Sequence, residues 1–121
     1  MKRIAFAPEY TDLASRRLAA DLRVDVAKAL DHGHSVSIDL RNVESVSESY
    51  ADELFGILAI GLGLNEFVKK VTILHANTHV LRVIAQALRD RLEQQNAEAA
   101  RDQIHQLVAA QHARRSRLAY C

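Results

Sequence analysis

The sequence predicts an α/β fold: a small mixed, mainly parallel sheet with helices packed on it, plus a C-terminal helical extension. Three observations predict it. Short alternating or apolar segments at 3–7, 36–40 and 71–74 read as strands. Each is followed by a longer stretch with apolar residues at three- and four-residue spacing, the period of a helix. Strands alternating with helices imply parallel pairing through right-handed crossovers.

In chain order, Ile4 and Phe6 alternate within "RIAFA" and Pro8 ends the first strand. Thr11 or Asp12 is expected to cap the first helix, with Leu18, Leu22, Val26 and Leu30 along one stripe. Gly33 suits the left-handed position that stops it. Val36, Ile38 and Leu40 then alternate as a strand, and Val43 and Val46 fall in a short connection. Ser49 followed by Asp52 is a capping-box spacing, and Glu53 adds a second acid to the first turn. Tyr50, Leu54, Ile57, Leu58 and Leu62 form a helical face that Gly61 and Gly63 end. "VTIL" at 71–74 is the third strand. Asn77 or Thr78 caps the next helix, with Leu81, Ile84, Leu88 and Leu92 inward. The expected division is a domain over 1–93 and an extension over 94–121, which either breaks near Asn96 and folds back or projects and packs on another subunit.

The bulk numbers exclude several classes. At 121 residues and 49% apolar content the chain has material for one core. A net charge of +1 gives no general electrostatic case for nucleic acid or an anionic membrane. Cys121 is the single cysteine, so no intramolecular disulfide forms, which fits a reducing cytoplasm. Pro8, Glu9 and Asp12 interrupt any leader-like run, and the apolar run at 54–64 is about half a bilayer span. A soluble, cytoplasmic protein is expected.

"VSIDLRNVESVSESYADELFG", residues 36–56, resembles the STAS domain of sulfate transporters and anti-sigma factor antagonists. It is closer to the bacterial STAS-like domains of unknown function, whose pattern runs from an aspartate-ending strand through a serine-bearing turn to "FADELFG"; here the phrase is "YADELFG". The likeness spans roughly residues 11–92, with "ASRRLA" and "RVIAQALRDRL" near its ends, and leaves out the extension. It implies a sheet with helices mostly on one face, and a non-catalytic signalling role in a bacterial regulatory system. In anti-sigma factor antagonists a serine at the start of the second helix is phosphorylated by an anti-sigma kinase, and phosphate releases the partner. The resemblance therefore implies a histidine-kinase-like ATPase as partner and a switch surface of Asp39, Ser45, Ser47, Glu48, Ser49, Tyr50, Asp52 and Glu53. Set against the antagonist motif "DSSG", Ser47 falls at the aspartate, Glu48 at the acceptor serine and Ser49 at the second serine. Ser47 and Ser49 are then the candidate phosphoacceptors, or Glu48 is a fixed negative charge that holds the module in one state. Asp39, Glu44, Glu48, Asp52 and Glu53 are expected to make this end acidic, so that added phosphate disrupts binding.

Other chemistries find less support. His32 with His34 lack the helical spacing of a zinc hydrolase, and His75 with His79, though four apart, are not expected on one helix because Asn77 starts it between them, so no metal or other cofactor is expected. No "GxSxG" elbow accompanies the serines, and no phosphate-binding glycine loop follows a strand, so an enzyme is not expected. The extension is expected to mediate homodimerisation or hold the partner. Two rival readings are a nucleic-acid-associated protein using the basic tail "HARRSR" at 112–117, and a homo-oligomeric assembly subunit.

Overall fold

The computed structural model describes residues 2–119, with the side chains of residues 2–109. Three strands, β1 (Arg3–Phe6), β3 (Ser35–Asp39) and β5 (Val71–Leu74), form a parallel sheet in the order β1-β3-β5. The central strand is covered on both faces: Val36 and Ile38 are buried on one, Ser37 on the other. Arg3 reaches across that second face, and its guanidinium donates to Ser37 Oγ at 3.3 Å and Thr72 Oγ1 at 3.1 Å. One side chain of β1 thus ties all three strands and satisfies the buried hydroxyl.

Between β1 and α1 (Arg16–Asp31) lies β2 (Asp12–Leu13), which pairs in parallel with β4 (Ser45–Val46). This ladder corrects two expectations. Asp12 is a strand residue and Ser15 caps α1, accepting from Leu18 N–H at 3.3 Å. Val46 is paired rather than part of a loose connection. Along α1, Ala19, Val26, Ala29 and Leu30 are buried, whereas Leu18, at the exposed start of the stripe, faces solvent. The helix ends in a Schellman turn: Gly33 N–H bonds Leu30 C=O, His34 N–H bonds Ala29 C=O, and Gly33 has φ +81°.

The helical stretch that follows is not uniform. It comprises α2 (Glu48–Ala51), a π-helical turn over Asp52–Gly56, and α3 (Ile57–Leu62). Its buried hydrophobic side chains fall in pairs, Tyr50 with Ala51, Leu54 with Phe55, and Leu58 with Ala59. That repeat of four residues exceeds the 3.6 of an α-helix and would wind the pairs off the core face. A turn holding an extra residue, closed by Ile57 N–H to Asp52 C=O, keeps them together. Gly63, at φ +86°, starts α4 (Leu64–Lys70), which buries Phe67. Gly61 lies inside α3, so only the second glycine marks the break.

Helix α5 runs from Thr78 to Ala119, capped by Asn77, whose Oδ1 accepts from Val80 N–H at 2.8 Å. Asn77 Nδ2 also donates to Glu44 C=O at 3.1 Å, which fixes the cap against the β4 approach. Val80, Ile84 and Ala87 are the buried residues of its first turns; Leu81, expected inward, is exposed. The helix is continuous through Asn96, so the chain does not break there. By contacts the chain divides into a unit ending at Arg91 and a second unit beginning at Leu92.

Candidate functional site

The β2–β4 ladder delivers the chain to the start of α2, and each serine there has a different set of bonds. Ser45 Oγ donates to Asp12 Oδ1 at 2.5 Å, across the ladder. Ser47 is extended (φ −76°, ψ 157°) and is the helix cap: its Oγ accepts from Tyr50 N–H at 3.0 Å and donates to Ala14 C=O at 3.3 Å. Ser49, the expected cap, instead lies within α2, and its Oγ stands 3.5 Å from Ser47 Oγ. Glu48, between them, is exposed.

Tyr50 is 2% exposed and belongs to the core, where burial pushes its hydroxyl pKa up. It also lines a cavity of about 220 Å³ with Tyr10, Leu13, Leu18 and Leu22.

The two acids of the "YADELFG" phrase form a network rather than a bare acidic face. Asp52 takes a fork of two bonds from Arg91, Nε to Oδ1 at 2.8 Å and Nη2 to Oδ2 at 2.6 Å. Arg16 Nη1 lies 3.4 Å from Asp52 and 3.1 Å from Glu53, and Arg23 Nη2 lies 3.3 Å from Glu53. The hydrogen bond from Arg91 is the main cause that holds the Asp52 carboxyl below the usual carboxylate range; burial, the next largest effect, opposes it, and the Arg91 charge and then the Arg16 hydrogen bond and charge lower it further. The expected acidic end is thereby reduced: Asp52 and Glu53 are matched by arginines from α1 and α5. Glu44 and Glu48 are exposed and make no ion pair with the described residues.

Gly56 completes the network. A Cβ there would sit 2.8 Å from Asp52 Oδ1 and 3.6 Å from Arg91 Cβ, so glycine leaves space for the carboxylate and its partner. Asp39 ends β3 and accepts from Arg41 N–H at 2.9 Å, a turn bond. His75, with φ 57°, and His79 are both exposed. Among the described residues no three His, Cys, Asp or Glu are grouped to hold a metal ion. The side chains of 112–117 and Cys121 lie outside the described residues.

Sequence reasoning did not identify Arg16, Arg23 or Arg91, and it took Gly56 as the end of the motif rather than as the space for Asp52 and Arg91. A signal for the first and third exists: "ASRRLA" and "ALRDRL" place cations near both ends of the stretch that resembles the family.

No helix among the described residues is long and apolar enough to cross a membrane. Comparison with curated proteins and with solved structures finds no match. The family described as a STAS-like domain of unknown function (DUF4325) matches residues 19–81, from within α1 through the serine turn to the first residues of α5. With more than half its length matched, the chain belongs to this family of STAS-like domains.

Proposed function

We propose that this STAS-like domain is a non-catalytic regulatory module that binds a protein partner through the β4–α2 junction, Ser45–Ser49. Its partner is an ATPase of the histidine-kinase type, and Ser49 is the residue it modifies. The observation that carries this reading is the unequal bonding of the two candidate serines. Ser47 Oγ is committed to the cap and to Ala14, whereas the half-buried Ser49 side chain has one hydrogen bond among the described residues, a long one to the Ser47 hydroxyl. Transfer of the γ-phosphoryl of ATP to Ser49 Oγ, releasing ADP and a proton, would disturb no backbone bond of the helix. Phosphate there adds nearly two negative charges beside Glu48. Repulsion from an acidic or apolar partner surface then releases the complex.

The test is recovery of partners from lysate on the tagged chain with ATP or ADP, followed by intact-mass analysis. An ATPase is expected in the ADP sample, with one phosphate added in ATP that Ser49→Ala removes and Ser47→Ala does not. Recovery of no ATPase in either nucleotide overturns the reading.

A further inference from the structure

Beyond Arg91, three described residues of α5 expose large apolar side chains: Ile104 at 61%, Leu107 at 61% and Val108 at 58%. At i, i+3 and i+4 they form one stripe. Ala100 and Ala97 continue it at steps of four and three, the spacing of helices that pair side by side. Arg101, Asp102 and His105 border it.

The order of charges along the chain selects the partner. Residues 93–102 carry Glu93, Glu98 and Asp102 against one arginine, while residues 112–117 carry three arginines and no acid. Of these acids Glu93 shares the face of the stripe, and an identical segment laid antiparallel and centred on it brings the arginine-bearing stretch of each copy to within about one turn of Glu93 of the other, twice over by symmetry. A parallel arrangement sets like charge beside like.

We propose that a second copy of this chain covers the Ile104–Val108 stripe, forming an antiparallel two-fold pair of α5 helices. This inference does not depend on the Ser45–Ser49 reading, because its test contains no other protein.

The full chain is measured by light scattering over a concentration series, with twice the monomer mass expected. Leu107→Asp is expected to return it to monomer with helical circular dichroism retained. Leu107→Ala, which keeps a strong helix former, is expected to raise the dimer dissociation constant about tenfold or more. Orientation is read by disulfide trapping in a Cys121→Ser background. A mixture of Ala100→Cys and Gln111→Cys chains, two positions on the face of the stripe that oppose one another in the antiparallel pair, is expected to give the mixed disulfide in preference to either self-linked species. A monomer at every concentration, a dimer indifferent to both Leu107 variants, or preferential self-linking of the Ala100→Cys chain overturns the proposal.

Discussion

Ser47 and Ser49 stand two positions apart and face opposite consequences on mutation. Ser47 satisfies a free N–H at the helix start, so Ser47→Ala is expected to cost about 1 kcal/mol in urea denaturation. Ser49→Ala removes no backbone bond and is expected to change stability by less than about 0.5 kcal/mol. The capping-box pattern pointed to Ser49 because the sequence offers two serines at cap-like spacing. Which one is extended is decided by the β2–β4 ladder, which holds Ser47 N–H on Leu13 C=O at 2.8 Å. Asp52 gives a pH signature. Its folded pKa is depressed, so its stabilising contribution is present above the ordinary carboxylate range and is lost as pH falls through about 4 and below. Asp52→Asn is expected to lower stability near neutrality and to flatten the acid side of the stability–pH curve. An unchanged acid limb in the variant would show that other carboxylates govern it.

At the scale of elements, the π-turn and Gly56 are one device. The turn aligns the buried pairs, and the missing side chain lets Asp52 and Arg91 meet beside it. Glycine within a helix normally costs up to about 1 kcal/mol relative to alanine. Gly56→Ala should therefore stabilise only where the carboxylate is gone. The expected double-mutant cycle shows Gly56→Ala neutral or destabilising in the native chain and stabilising by about 0.5 kcal/mol or more in Asp52→Ala. Strict additivity in the cycle would sever the two residues. The sequence places cations near both ends of the family-like stretch, but which of them meet Asp52 and Glu53 was not legible, because Arg16, Arg23 and Arg91 lie far from the motif along the chain. Strand β5 and the Schellman end of α1 were legible, since β-branched runs and a glycine after a periodic segment act locally. The two-residue strands β2 and β4 carry no period to read, and α4 exposes Val68 while burying Phe67, too short a pattern to register.

Across the whole molecule, the core centres on β3. Ile38 is fully buried, and Ile38→Ala is expected to cost about 2–5 kcal/mol by thermal or chemical unfolding, well beyond any substitution at the serine turn. Every strand pairing is parallel: Arg3 meets Ser35, Asp12 meets Ser45 and Val36 meets Val71, each partner over thirty residues away. Among its described residues, the unit ending at Arg91 therefore contains no hairpin that could form early from neighbouring residues. Each ladder has to close a long loop first, which places this chain among slower folders for its size. During synthesis β3 cannot complete its edges until residues 71–74 have left the ribosome. The half-made sheet, with one open side on its central strand, is then the species that an unfavourable temperature or a truncated message would leave prone to aggregation.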